Sequence, residues 1–239
     1  VAFKKRERLS EESTEETIPL IYSSNLVNGR VKFPNLKETF QYLLPTKGMM
    51  QENKDYLMLK RFTSKEESKR LQPAIYLKDD IHTNYISTDN KLNFIENIDK
   101  THLDRDVVFG LFVIFNSSYY DKYYRILNGS TQVNATEIND MPIPNKKLLK
   151  KLGRKLMDNE DFSSHNSDKL LEKEVLDYAN NRKPKSWRVG QAVFNYIDNQ
   201  YGVARDVQYK ENVDCFYDDK QIKDFLRLSY NRIRKKKGW

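Results

Sequence analysis

"VVFGLFVIFNSSYYDKYYRILNGSTQVNATEINDMPIP", residues 107–144, is the stretch on which the fold turns. In its first half, apolar side chains recur at Val107, Val108, Leu111, Phe112, Phe115 and Tyr119, and Tyr120, Tyr123, Tyr124 and Leu127 continue the pattern. Spacings of three and four belong to a helix, so the stretch predicts one long buried helix from about Leu103, stopped by Gly129. The tyrosine stripe reads as packing surface, with base stacking as the alternative. The second half, Asn128 to Pro144, switches to small neutral hydrogen-bonding side chains closed by Pro142-x-Pro144. Side chains of this kind in a turn either satisfy their own backbone or face a ligand. A basic run follows, in which Leu148, Leu149, Leu152 and Leu156 make one face of a further helix.

Upstream the period is two. "IPLIYSSNLVNGRVKFP" reads as two short strands around Asn28-Gly29, a strong hairpin signal. "YLMLKRF" (56–62), "AIYL", "NYIS" and "LNFIE" add strands, with Asp89-Asn90 as a turn between the last two. Ser64-Lys65-Glu66-Glu67 fits a capping box opening a short helix that ends at Pro73. Strands at this spacing imply an antiparallel or mixed sheet and not repeated βαβ units. The expected class is therefore α+β (mixed α/β), a sheet packed on the long buried helix.

Four segments are expected along the chain. Residues 1–17, nearly all charged or hydroxylic, read as a flexible lead-in, and residues 18–157 hold the sheet and helices. Residues 158–186 read as a polar linker with a modest helix. Residues 187–239 read as a small α-β-β-α unit: a helix capped near Gly202, a hairpin of "VARDVQY" and "VDCFY", an amphipathic helix and a basic tail. At roughly 50 residues such a unit is marginal alone, which suggests a partner surface or a dimer contact there.

The chain has 42 Lys+Arg against 34 Asp+Glu, a net charge of +8, which favours a polyanionic partner, nucleic acid first. Mean hydropathy is −0.82, yet aromatics reach 12%, enough to build a core. Cys215 is the single cysteine, so no intrachain disulfide forms and a cytoplasmic location is the default. The longest apolar run, Val107 to Phe115, is far short of a membrane span. The first residue is Val1 and not Met, which leaves open that the chain is part of a longer product.

Several chemistries lack their motifs. There is no G-x-x-x-x-G-K, no G-x-G-x-x-G and no Pro-Pro pair, so common nucleotide-binding loops and a base-holding Pro-Pro-aromatic loop are missing. His82, His102 and His165 have no metal-ligand spacing. Asp55 with Glu67-Ser68-Lys69 superficially matches a metal-dependent nuclease pattern, which makes a stand-alone nuclease one alternative reading. No catalytic, cofactor-binding or metal-binding residue is assigned.

Three stretches, "IPLIYSSNLVNGRVKFP", "YLMLKRFTSKEESKRLQPAIY" and "VFGLFVIFNSSYYDKYYRILNGSTQVNATEINDMPIP", together resemble the C-terminal target-recognition region of adenine-specific DNA methyltransferases of type II restriction–modification systems. "GSTQVNATEINDMPIP" is also similar to recognition domains of type I restriction specificity subunits. The resemblance covers about residues 18–157. It implies that this region grips double-stranded DNA and chooses its sequence. A separate catalytic domain, in cis or in trans, then binds S-adenosylmethionine and methylates adenine. Candidate DNA contacts follow: Lys60, Arg61, Ser64 and Lys65 for phosphates, with Arg61 alternatively reading guanine, and Asn128, Ser130, Thr131, Gln132, Asn134 and Thr136 for base edges. The competing view is a protein-interaction or dimerisation module with an incidental basic surface.

Overall fold

A computed structural model describes residues 6–64, 66–128, 130–181 and 183–236. The chain divides into two compact units, Val1–Asp168 and Lys169–Trp239. In chain order the strands are β1 (Leu9–Ser10), β2 (Ile18–Ile21), β3 (Leu26–Val27), β4 (Arg30–Val31), β5 (Tyr42–Leu43), β6 (Gln51–Glu52), β7 (Tyr56–Lys60), β8 (Pro73–Tyr76), β9 (Tyr85–Thr88) and β10 (Leu92–Ile95). The helices are α1 (Arg105–Asn116), α2 (Ser118–Leu127), α3 (Ala135–Asn139), α4 (Lys146–Asn159), α5 (Ser164–Asn181), α6 (Val189–Tyr201), α7 (Ala204–Lys210) and α8 (Ile222–Lys236). The class is mixed α+β, as the change of hydrophobic period predicts.

Among the described residues two mixed five-stranded sheets form, in the orders β1-β5-β2-β9-β6 and β10-β7-β8-β4-β3. β7 is an inner strand of the second, antiparallel to both β10 and β8, while β4 joins β8 in parallel. Both faces of β7 are covered, which is why it reads as a continuous apolar run and not an alternating one. Tyr56 and Met58 meet Ile21 and Ile86 of the other sheet in one cluster. Leu57 and Leu59 point to the opposite face, on the side where α1 packs. The Asn28-Gly29 turn is present with φ of +51° and +78°, a pair of left-handed residues suited to a tight hairpin, and it joins β3 to β4. A Cβ on Gly29 would come within 2.7 Å of the Phe112 ring, so the turn is held against α1.

α1 is buried from Val107 to Asn116 without interruption, as befits a helix that is apolar all round. It lies against β7, β8 and α4. Its contact with α4 is backbone on backbone. A Cβ added at Gly110 would fall on the Leu149 carbonyl, and one at Gly153 on the Asp106 carbonyl. Asp104 then accepts from Lys150 (2.7 Å) and Lys146 (3.1 Å) across the same seam.

Four expectations are corrected. The long helix is two: it breaks at Ser117, which has extended backbone (φ −72°, ψ 149°) and whose hydroxyl accepts from Tyr120 N to cap α2. A serine offering its own acceptor makes a new helix start at small cost, and a run of apolar period does not reveal it. α2 ends at Leu127; the expected stop, Gly129, lies outside the described residues. The lead-in segment, expected to be flexible, contributes β1, which pairs Leu9 with Leu43. No helix forms over 66–72: Glu67 does accept from Ser64 N (2.8 Å), so half of the capping box is made, but the chain only turns and enters β8.

The fourth correction concerns the second unit, which among the described residues is helical and lacks the predicted hairpin. "VARDVQY" becomes the start of α7, because Val203 and Val207, four apart, are both buried, whereas a strand would have paired them with exposed Arg205. Gly202, left-handed at φ +62°, ends α6 as expected. Cys215 is buried in a loop beside Gly190 within the cluster formed by α6, α7 and α8, and burial pushes its thiol up to about 12. No helix among the described residues is long and apolar enough to cross a membrane.

Candidate nucleic-acid interface

β7 does not end the sheet edge at Lys60. Its continuation meets the polar stretch after α2 in a short antiparallel ribbon: Val133 N donates to Arg61 O (2.6 Å) and Thr63 N donates to Thr131 O (3.3 Å). Between these two bonds Phe62 sits directly opposite Gln132. Opposed residues flanked by bonds in this way are a non-hydrogen-bonded pair, the arrangement that brings side chains closest. Two segments about seventy residues apart in sequence, each singled out from its residue types, are thus one surface feature.

Beneath the ribbon lies a buried polar layer. Arg70, 1% exposed, donates through Nη2 to Ser130 O (2.6 Å) and through Nε to Thr63 Oγ1 (3.0 Å), so one guanidinium holds both ribbon strands. Its Cζ lies 5.8 Å from the Tyr124 ring centroid. Asp121, also buried, accepts from Arg70 N (2.6 Å) and Leu71 N (2.7 Å), and its second oxygen accepts from Arg125 Nε (2.8 Å). Asn128, 4% exposed, spends its amide on Tyr124 Oη, Gln132 O and Glu137 Oε1 while its own oxygen accepts from Ser130 N (2.6 Å). Burial, reinforced by the Glu137 carboxylate, pushes the Tyr124 phenol up to about 12, and its hydroxyl donates to Gln132 O (3.2 Å).

The sequence-predicted residues separate into two groups. Asn128 is inside the loop and shapes it. Ser130 is exposed, but its hydroxyl is engaged by the Gln132 backbone, donating to O and accepting from N, each at 3.2 Å. Asn134 occupies the position before α3 and donates to Glu137 Oε1 (3.2 Å) without capping the helix. Thr131 and Thr136 are exposed. Gln132 is half-buried, and among the described residues its side-chain amide makes no hydrogen bond; only its backbone is engaged. Lys60 and Arg61 are half-buried at the end of β7, with Arg61 Nη1 donating to Asn90 O (3.4 Å). Ser64 is exposed, but no helix N-terminus stands behind it; Lys65 lies outside the described residues.

Sequence reasoning passed over Phe62, Arg70 and Asp121. An acid between two tyrosine pairs in "YYDKYY" was the available signal for Asp121, since a charge on an apolar helix face needs a buried partner. Asp55, Glu67 and Lys69 form no catalytic cluster: Asp55 is buried and paired with Arg105 Nε (3.3 Å), Glu67 bonds Ser64 N, and Lys69 donates to Asn116 O. Asp55 and Glu67 flank opposite ends of β7, itself about 17 Å long at strand rise. Among the described residues no group of three or more His, Cys, Asp or Glu side chains is placed to hold a metal ion.

The chain is 31% identical over 180 residues to the type II methyltransferase M.BsuBI of Bacillus subtilis, covering 74% of this chain and 36% of that protein. It is 32% identical over 176 residues to the type II methyltransferase M.PstI of Providencia stuartii, covering 72% and 34% respectively. The chain therefore spans about a third of the length of the curated relatives it matches. No family model and no solved structure matches it.

Proposed function

We propose that the first unit recognises a specific sequence in double-stranded DNA on behalf of an adenine methyltransferase of a restriction–modification system. S-adenosylmethionine and the methyl-transfer groups would be supplied by a separate catalytic domain, in the same or another chain. The observation that carries this reading is the ribbon itself: Phe62 opposite Gln132, with Lys60 and Arg61 at its root and Thr131 exposed on it. A two-stranded ribbon is narrow enough to enter the major groove, and a free glutamine amide matches the N6/N7 edge of adenine. Lys60 and Arg61 supply the phosphate grip that sets register without carrying sequence information. Arg70 and Asn128 act as positioning residues, since each ties the loop after α2 to its base. Similarity to type II methyltransferases over most of the chain supports the assignment.

Equilibrium binding of the 239-residue chain to duplex DNA, measured across a salt series, tests it. Affinity is expected to fall linearly on a log–log plot, and Lys60→Ala is expected to shallow the slope by about 0.9 while weakening all sequences alike. Binding indifferent to salt would speak against the reading.

A further inference from the structure

We infer that Phe62 and Gln132 act as a pair that reads one A·T base pair, the ring on the thymine methyl and the amide on adenine. This rests on the DNA-recognition reading above and goes beyond it by naming the base pair and the apolar contact. Phe62 is 46% exposed although it is an aromatic at the edge of a well-packed sheet, and it faces outward while its neighbours Thr63 and Val133 are buried. It is opposite Gln132 in the non-hydrogen-bonded position, where Cα atoms stand about 4.5 Å apart and side chains emerge on the same face. Among the described residues the Gln132 amide is uncommitted, in a loop where Asn128 and Asn134 are already bonded to Glu137. Arg61 Cζ lies 5.8 Å from the Phe62 ring centroid, so a cation steadies the ring and puts positive charge beside it.

The groove chemistry of an A·T pair fits this pair of side chains. Adenine offers an acceptor at N7 and a donor at N6, which one glutamine amide meets with two hydrogen bonds, and the thymine C5-methyl lies on the same groove edge, where an apolar side chain covers it. A G·C pair offers neither the methyl group nor the donor at the purine N6 position. The ring adds to the discrimination made by Gln132: in T·A the methyl and the N6/N7 edge exchange places, so the apolar contact and the two hydrogen bonds are lost together.

The experiment uses the 239-residue chain and the duplex it prefers from a randomised pool. Each thymine of that duplex is replaced in turn by deoxyuridine, which removes only the methyl group. At one position the wild-type chain is expected to lose about fourfold in affinity, the worth of one buried methyl. Phe62→Ala is expected to be indifferent to the same replacement, and Phe62→Leu, which keeps an apolar tip, to retain most of the effect. Replacing the paired adenine by 7-deazaadenine should penalise the wild type and not Gln132→Ala. Indifference of the wild type to every deoxyuridine, an unchanged deoxyuridine effect in Phe62→Ala, or a preferred sequence without an A·T pair each overturns the inference while leaving salt-dependent, sequence-selective binding in place. A chain that binds no duplex at all removes the recognition reading and this inference together.

Discussion

A Gly153→Ala variant is expected to unfold the first unit at markedly lower denaturant, with a loss of about 3–5 kcal/mol, above the ~1–3 kcal/mol usual for overpacking. The reason is the identity of the obstacle. The new methyl group would land on the Asp106 carbonyl, which is backbone of the buried helix α1 and cannot swing aside as a side chain would. Helix propensity alone makes the opposite prediction, since alanine in the interior of α4 gains about 1 kcal/mol over glycine. The sign of the change, read as the midpoint of urea unfolding followed by circular dichroism, thus separates packing from propensity. Gly110→Ala meets the Leu149 carbonyl from the other side of the seam and should behave alike. The two together should cost less than their sum, because either one alone already forces α1 and α4 apart.

Arg70→Ala is expected to cost about 2–4 kcal/mol, from a lost buried hydrogen bond and a large-to-small void, and to dissolve the ribbon. Truncation leaves the buried Thr63 hydroxyl without its donor, at about 1–3 kcal/mol, removes the bond to Ser130 O, and opens a void beside Tyr124. Arg70→Lys fills much of the void, but one ammonium cannot reproduce the fork that spans both strands. Its expected signature is therefore a smaller loss of stability with a large loss of sequence choice, while salt-dependent binding through Lys60 persists. Urea unfolding and a comparison of preferred with scrambled duplexes measure the two effects separately; equal losses on both duplexes would reduce Arg70 to a purely structural residue.

Much of the first unit is legible in the residues. The Asn28-Gly29 hairpin, the strands at 56–60, 73–76, 85–88 and 92–95, and the basic helix whose Leu149, Leu152 and Leu156 are buried all follow from local pattern. Which strand pairs with which does not. β9 and β10 are joined by the Asp89-Asn90 turn yet belong to different sheets, because Ile86 packs with Ile21 beside parallel β2 while Leu92 lies opposite Lys60. Partner choice of this kind is decided by the opposite face of the sheet, and local sequence carries no record of it. The break at Ser117 escaped for a different reason: the apolar period runs straight through it, and only a single hydroxyl marks the new cap.

The candidate interface was legible as two separate polar segments, from side-chain chemistry alone. Their union through the Phe62–Gln132 pair was not, since nothing local predicts a long-range bridge. Nor were the residues beneath them. Arg70 sits in "SKRLQP", which reads as a solvated charged run, and it is buried only because Asp121 recruits its backbone and Ser130 its side chain. In the second unit Val203 and Val207 satisfied both a two-residue and a four-residue period, and the helix prevailed because it hides them without also hiding Arg205.

The central claim, that the ribbon of residues 61–63 and 131–133 reads duplex DNA, is tested most directly by enriching a randomised duplex pool in parallel on the wild-type chain and on Gln132→Ala. The wild type should enrich a defined motif, and the variant should lose preference at one A·T position while keeping the remainder and its salt dependence. Identical motifs of equal strength from both proteins, or no enrichment by the wild type, would contradict it.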